Sequence, residues 1–361
     1  MSRFSYFTAL LAAVASTVHA QTSTTCQPLN ETCPPDVALG TSHTWNFSSN
    51  SILDSTWNIT NGAVDYTDNA MKFSIAKKLD SPTIQSNFYI FFGRMEYHVQ
   101  AAPGQGVISS VVLESDDLDE VDWEWVGSSD TQVQSNYFGK GETIAGTGLT
   151  HNISGSTTDA YHNYTTWWDK DKLEWWFDNT LLRTVYAADA KNSTNTWYPQ
   201  TPMTIRLGNW PGGDPAQPEG RIIWAGGIID YDSGPYNMYV SQISAQDFSS
   251  GKEYTYSDHS GDWKSINITA GNSTISDTLN TKHETLAQKW ANLAPGAKIA
   301  IYASVGGVLG IGLMVLLFCC IKQRRIGKRE WNVQNNRFME ERTDMMNMQA
   351  EWRQKGYVEM K

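Results

Sequence analysis

Acidic and large apolar side chains alternate without interruption over residues 119–127, which read DEVDWEWVG. On a β-strand successive side chains point to opposite faces, so Glu120, Asp122 and Glu124 share one face and the apolar side chains between them share the other. Three carboxylates in a row repel one another, and holding them beside an apolar layer costs free energy. The pattern therefore indicates a row of acids that is retained for chemistry.

The spacing of Glu120 and Glu124 predicts which chemistry. At about 3.3 Å per residue their backbones lie roughly 13 Å apart, and side chains leaning inward by about 4 Å each leave roughly 5 Å between the carboxyl groups. Retaining glycosidases need about 5 to 5.5 Å, whereas inverting enzymes need about 6.5 to 9.5 Å to seat a water molecule. Asp122 lies between the two glutamates and can separate their pKa values. We therefore predict three catalytic acids of a retaining glycosidase, with no metal and no cofactor.

Two other interpretations of the acidic row are a solvated strand edge and a calcium site. A solvated edge does not need large apolar residues at every alternate position. A calcium site usually draws oxygen ligands from a loop as well. Catalysis is therefore favoured over both.

The elements around this row begin with a predicted secretory signal peptide over residues 1–20. Arg3 precedes an apolar run over residues 7–15 that is too short to span a bilayer, and the sequence VHA at 18–20 provides a small-residue cleavage site. The mature chain is therefore expected to enter an oxidising compartment.

The four cysteines form two unlike pairs. Cys26 and Cys33 enclose a short proline-containing loop, which favours a disulfide within residues 21–36, and a zinc knuckle is the weaker alternative because no second ligand pair follows. Cys319 and Cys320 lie at the end of an apolar segment, where reversible palmitoylation is favoured over a structural disulfide.

That apolar segment, residues 299–321, holds 23 residues without a charge, enough to cross a bilayer. Five basic residues follow within residues 322–329 and place the C-terminal side in the cytoplasm. About 40 mostly polar residues follow the segment, so it is not the terminal tail of a lipid-anchor signal. We predict a single transmembrane helix over residues 298–321 and a basic cytoplasmic tail over residues 322–361.

Charge divides along the same line. Residues 21–297 carry 32 acids against 15 bases, whereas residues 298–361 carry 11 bases against 6 acids. An acidic outer domain argues against nucleic acid or an anionic polymer as substrate and fits a neutral or cationic one. The basic stretch after the apolar segment is expected to contact the membrane surface.

Eight Asn-X-Ser/Thr sequons precede the apolar segment and mark candidate glycosylation sites. They begin at Asn30, Asn46, Asn58, Asn152, Asn163, Asn192, Asn267 and Asn272.

Short strand-like runs separated by Gly, Pro, Asn and Asp dominate the outer part of the chain. They cover residues 70–76, 87–101, 107–114, 120–127, 131–138, 161–178, 203–210, 221–229 and 236–243. The pattern predicts one all-β sandwich or jelly roll over residues 37–250. Residues 251–297 are richer in Ser, Thr and Asn, and we expect them to form a stalk above the membrane.

Aromatic residues beside polar ones indicate a sugar cleft, because pyranose rings present apolar faces to aromatics and hydroxyls to amides. The substrate-binding candidates are Gln134, Asn136 and Tyr137 on the expected return strand, with Trp210 and Trp224 in Gly-rich segments. For the two tryptophans, ordinary packing in the core or in a turn is the alternative.

The sequence EVDWE at residues 120–124 resembles the E-x-D-x-E motif of family-16 glycoside hydrolases. The stretches CQPLNETCPPD, NYFGKG, WPGGDP and IIWAGG together resemble the fungal Crh proteins, which are cell-wall transglycosylases that crosslink chitin to glucan. The resemblance covers most of residues 26–266. It implies a concanavalin-like β-jelly roll in which Glu120 is the nucleophile, Asp122 the assisting carboxylate and Glu124 the acid/base. Members of that family are commonly lipid-anchored, whereas this chain has a transmembrane segment.

The resemblance favours transfer of a chitin chain to β-glucan or chitin outside the plasma membrane, at the cell surface and wall. The residues alone leave open a retaining endo-glycosidase, chitinase- or glucanase-like, and a non-catalytic carbohydrate-binding receptor whose acids bind calcium. The expected partners are chitin, β-glucan and the membrane, and nucleic acid is not expected. The sequence does not predict a protein partner for the cytoplasmic tail.

Overall fold

The computed structural model describes residues 24–47, 55–142, 146–190, 197–280, 290–354 and 356. The chain divides into two compact units, residues 1–281 and 282–361. The predicted signal peptide and the sequon at Asn192 lie outside the described residues.

The described part of the first unit is built from β-strands. They are β1 (Asp36–Val37), β2 (Ser42–Asn46), β3 (Trp57–Asn61), β4 (Val64–Tyr66), β5 (Met71–Ile75), β6 (Thr83–Ser86), β7 (Gly93–Gln100), β8 (Ile108–Ser115), β9 (Glu120–Val126), β10 (Gln132–Phe138), β11 (Leu149–Asn152), β12 (His162–Trp168), β13 (Lys172–Phe177), β14 (Thr180–Tyr186), β15 (Met203–Trp210), β16 (Tyr236–Asp247), β17 (Gly251–Tyr256) and β18 (Ile266–Ala270).

Two large antiparallel sheets face each other across one core, which confirms the predicted all-β sandwich. Among the described residues, one sheet has the order β11-β10-β9-β8-β15-β6-β3, and the other has the order β14-β13-β12-β7-β16-β5-β4 with β2 also paired to β16. Alternating side chains along each strand separate the core from the outer face. On β7, Met95, Tyr97 and Val99 are buried in the core, and the residues between them are half-buried on the outer face.

Aromatic side chains lock β9 to the opposite sheet. Trp123 and Trp125 are each 1% exposed and pack against Tyr164 of β12, with ring centroids 5.4 and 4.6 Å away. Trp123 Nε1 donates to Thr166 Oγ1 at 3.0 Å, and Trp175 Nε1 donates to the backbone oxygen of Asp122 at 3.0 Å. These contacts hold the apolar face of β9 against the core, so its acidic face points away from it.

The predicted boundary at residue 250 is wrong. A third sheet has the order β1-β17-β18, in which β17 pairs with both β1 and β18. Tyr254 of β17 is fully buried and donates to Asp247 Oδ2 at 2.6 Å. A helix, α1 in Glu219–Trp224, comes before β16, and a second, α2 in Thr274–Asn280, follows β18. Polar strands of this kind resemble a stalk in composition, but non-local pairing places them in the folded unit.

The strand predicted over residues 221–229 is also wrong, because the chain forms α1 there. Pro218 precedes the helix and Glu219 begins it, both of which favour a helix start. Gly226 and Gly227 follow it with φ of 86° and 125°, a conformation that favours glycine and ends a helix. The run predicted over residues 161–178 is two strands, since Asp169 Oδ1 accepts the backbone N–H groups of residues 171 and 172 in a turn.

The predicted disulfide is confirmed, since Cys26 and Cys33 are bonded with 5.8 Å between their Cα atoms. Six sequon asparagines are exposed, namely Asn30, Asn46, Asn58, Asn152, Asn267 and Asn272. Asn163 is half-buried, and its Nδ2 donates to Glu96 Oε1 at 3.2 Å.

The described part of the second unit is dominated by one helix, α3, over Pro295–Gln354. Its 60 residues correspond to roughly 90 Å at about 1.5 Å per residue. The helix is long and apolar enough to cross a membrane, and it contains the segment predicted to do so. Cys319 and Cys320 are exposed and free on it.

Candidate active site

The three acids of β9 lie on the face of the seven-stranded sheet that points away from the core. Glu120 and Glu124 are half-buried, and Asp122 between them is only 3% exposed. The intervening Val121 and Trp123 are 2% and 1% exposed on the core side. The predicted alternation is confirmed, and the central acid is more deeply buried than the two half-buried glutamates that flank it.

The neighbouring strands extend this row across the sheet. On β10, Gln134 lies opposite Glu124 and Asn136 lies opposite Asp122. On β8, Glu114 lies opposite Glu120. Directly opposite residues place their side chains on one face, so Gln134 and Asn136 lie beside the acids as predicted.

Tyr137 does not lie with them. It is opposite Val121, belongs to the core side of β10 and is 8% exposed. The guanidinium of Arg183 lies 5.3 Å from its ring. Because side chains alternate with period two, a residue next to Asn136 cannot share its face, and the prediction of Tyr137 as a sugar contact is wrong.

Trp210 and Trp224 meet at one side of the acidic row. Their rings stack with centroids 5.9 Å apart, and Trp224 Nε1 donates to Gln134 Oε1 at 2.9 Å. Trp210 is 4% exposed and is packed by Trp224 and Ile108, whereas Trp224 is half-buried. Trp210 therefore fits the packing alternative, and Trp224 is the ring that remains accessible.

The three acids of β9 shift one another's pKa values. Burial of its carboxyl group, and then the charge of Glu120, raises the pKa of Glu124 to about 8, while the charge of Arg221 opposes the rise. Burial is also the main reason that the pKa of Asp122 lies well above its ordinary value, followed by the charges of Glu120 and Glu124 and a hydrogen bond with Glu120. A pKa of about 8 keeps the Glu124 carboxyl group protonated at neutral pH, which is the state that a general acid must have.

Comparison with known proteins agrees with this geometry. Residues 53–226 match the family Glycosyl hydrolases family 16. The chain is 48% identical to a Crh-like protein of Arthroderma benhamiae over 96% of its own length and 94% of that protein. It is 47% identical to Crh-like protein 3 of Aspergillus fumigatus over 98% of both chains. The chain belongs to the Crh-like proteins of glycosyl hydrolase family 16.

Solved structures extend the match to three dimensions. Apo Crh5 transglycosylase is 48% identical to this Crh-like chain and superposes with a TM-score of 0.65, covering 67% of this chain and 100% of that one. A complex of Crh5 transglycosylase with NAG gives the same TM-score at 47% identity, with 67% and 99% covered.

A buried ionic cluster holds the turn that leads into β9 of this Crh-like chain. Lys140 Nζ lies 2.6 Å from Asp119 Oδ2 and 3.0 Å from Asp117 Oδ2, and both aspartate side chains are fully buried. Asp119 Oδ2 also accepts from Thr201 Oγ1 at 2.8 Å and from the backbone N–H of Gln200 at 2.8 Å. The cluster fixes the chain immediately before Glu120.

Lys140→Met is therefore expected to lower the free energy of unfolding by about 3–5 kcal/mol, since it leaves two buried carboxylates without their cation. Urea unfolding of the full chain in detergent, followed by tryptophan fluorescence, measures this. Lys170→Met is the matched control, because its pair with Asp171 is exposed and a change below about 1 kcal/mol is expected. Equal effects of the two substitutions would contradict the structural role of the cluster.

Three further charged residues lie near the acids, and the sequence pattern did not predict them. Arg206 of β15 pairs with Glu114 of β8, and both side chains are buried on the acidic face. Arg221 of α1 reaches Trp210, with 6.0 Å from its guanidinium carbon to the ring, and its charge acts on Glu124. Glu114 and Arg206 have the parity that places them on this face, but both strands are buried on both faces, so alternation does not mark them.

Within the described ranges, no group of three or more His, Cys, Asp and Glu residues is arranged to hold a metal ion.

Proposed function

We propose that this Crh-like chain is a retaining transglycosylase that cleaves chitin and transfers the released glycosyl chain to β-glucan or chitin, crosslinking wall polymers. The observation that carries the proposal is the pair Glu120 and Glu124 on one face of β9, with Glu124 protonated at neutral pH. The similarity to Crh5 transglycosylase supports transfer. The similarity to its complex with NAG, the sugar unit of chitin, supports the donor.

The reaction is a double displacement. Ionised Glu120 attacks the anomeric carbon while Glu124 donates its proton to the glycosidic oxygen, so the carbon–oxygen bond breaks and a glycosyl ester forms on Glu120. Glu124, now ionised, takes a proton from a hydroxyl of the acceptor chain, whose oxygen displaces Glu120. Asp122 supports Glu120 through the hydrogen bond between them.

Substrate contacts in this proposal come from the residues beside the acids. Gln134 and Asn136 offer amide groups to sugar hydroxyls, and Trp224 offers the accessible face of an indole to a pyranose ring. The hydrogen bond from Trp224 to Gln134 orients both side chains. Trp210 supports Trp224 from behind by stacking.

The proposed location is the plasma membrane, with the catalytic unit outside the cell and the basic tail in the cytoplasm. This rests on the apolar part of α3 and on the basic residues that follow it. Release of the mature protein by a phospholipase that cuts lipid anchors, without residues after Ile321, would contradict it.

The experiment that tests the function incubates the full chain in detergent with chitin oligosaccharides, with and without a fluorescent β-glucan acceptor. Labelled hybrid product is expected to grow with acceptor concentration. Free reducing ends with no labelled hybrid would reject transfer in favour of an endo-glycosidase. Binding that EDTA abolishes, with no turnover, would favour the non-catalytic receptor.

A further inference from the structure

The outer face of the eight-stranded sheet, on the opposite side of the sandwich from the acids, carries a second group of aromatic and polar side chains. Register places Glu174, Trp167, Arg94, Gln246 and Ser42 side by side on β13, β12, β7, β16 and β2. A second row on the same face lies two positions away and consists of Trp176 on β13, Thr165 on β12 and Glu96 on β7. We call these eight residues the outer trough.

Two shallow, open depressions lie along this line. One of about 210 Å³ is lined by Trp167, Trp176 and Thr165, among others, and one of about 350 Å³ is lined by Gln246 and Ser42, among others. Arg94 lines both, so they adjoin. Four strand spacings of about 4.8 Å give the trough a length of roughly 19 Å, room for several consecutive pyranose rings.

The two indoles are held in place before any ligand binds. Trp167 Nε1 donates to Asp169 Oδ2 at 2.9 Å, and the rings of Trp167 and Phe248 form a T-shaped contact with centroids 5.0 Å apart. Trp176 Nε1 donates to Glu174 Oε2 at 3.1 Å, and Glu174 is itself only 7% exposed. Fixed rings lose little conformational entropy when a ligand stacks on them, which is how rigid binding platforms are built.

The polar groups complete a sugar-binding chemistry. Arg94 and Glu96 form a two-point ion pair at 2.7 Å, and Thr165 and Gln246 lie beside them, so donors and acceptors for hydroxyl groups flank the aromatic rings. The excess of acids over bases in residues 21–297 disfavours an anionic ligand.

We propose that the outer trough is a second glycan-binding site, which holds a neutral β-linked polysaccharide chain while the cleft acts on another. The choice of polymer rests on the proposed function. A trough on the opposite sheet anchors the enzyme to the solid wall without occupying the catalytic acids.

The nearest competing occupant is the chain's own N-linked glycan. Asn163 lies two residues before Thr165 on the same face of β12, and its side chain already contacts Glu96. A glycan attached there would begin beside the trough, so its removal is one arm of the test.

The test measures retention of the full chain, in detergent and carrying Glu120→Gln to prevent turnover, on insoluble chitin and on insoluble β-glucan. A saturating short chitin oligosaccharide fills the cleft. Trp176→Ala and Trp167→Ala are each expected to weaken retention about threefold to tenfold. Gln246→Ala, at an exposed position, weakens it to a smaller extent without touching the core. Trp263→Ala, a half-buried tryptophan outside the two large sheets, is the matched control and leaves retention unchanged.

The same substitutions in the active chain leave transfer between short oligosaccharides unchanged, which also shows that the variants fold. Retention unaffected by all three trough substitutions would overturn the inference. So would retention that appears only after enzymatic removal of N-glycans. If the trough substitutions weaken retention but the unmodified chain transfers no sugar, the second glycan-binding site is supported and the proposed transglycosylase function is rejected.

Discussion

Glu120→Gln is expected to reduce cleavage and transfer by about 10⁴-fold or more, because a carboxamide cannot attack the anomeric carbon and no glycosyl ester forms. The replacement has the same shape, and the core side of β9 stays anchored by Trp123 and Trp175. The measurement is the initial rate of product formation from chitin oligosaccharides by the full chain. Acid-quenched samples of the unmodified protein, analysed by peptide mass, are expected to carry a sugar on the peptide that contains Glu120.

The control is Glu253→Gln on β17, a half-buried glutamate in the third sheet, for which full activity is expected. An unchanged thermal unfolding transition in both variants shows that the loss is chemical. Undiminished activity of Glu120→Gln, or a labelled peptide from another strand, would contradict the assignment of the nucleophile.

Glu124→Gln is expected to slow cleavage of chitin oligosaccharides by about 10²- to 10⁴-fold, the range of a general acid. Aryl glycosides with an acidic phenol as leaving group need no proton, so glycosylation of Glu120 by these substrates is expected to be far less affected. Burst kinetics with the aryl substrate separates the two steps.

The pH profile adds a signature of the same group. The active form of Glu124 holds its proton, so general acid catalysis by this group is complete below its pKa of about 8 and is lost as pH rises through it. The alkaline limb of kcat/KM is therefore expected near pH 8 in the unmodified chain and in Glu253→Gln. In its residual cleavage of chitin oligosaccharides, which need the proton, Glu124→Gln is expected to lack that limb. An identical limb in the variant would assign it to another residue.

Alternation of residue types was sufficient to locate the strand that carries the three acids. The apolar members of residues 120–126 are so large that only one face can enter the core, and Gln134 and Asn136 follow from pairing with the next strand. Tyr137 was misplaced by treating neighbours in sequence as neighbours in space.

Other features depended on contacts between distant parts of the chain. The helix α1 carries Arg221 and Trp224 to the acids, yet its six residues read as a strand between turns. Strand β17 joins the folded unit by pairing with β1, more than 200 residues earlier in the chain, and β18 follows by pairing with β17. Local composition does not encode such pairings, because they are decided by which distant edge is free to accept them.

The sequence by itself determined a row of alternating acids, a cysteine pair close enough to bond, and an apolar segment long enough to cross a bilayer, because each depends only on local spacing. Tertiary structure alone decided that Asp122 is enclosed, that Arg206 meets Glu114, and that two tryptophans on the outer sheet share a trough. The physical reason is that the pKa of Glu124 depends on burial and on charges brought in by other strands and a helix, and these are set only when the sheets close on one another.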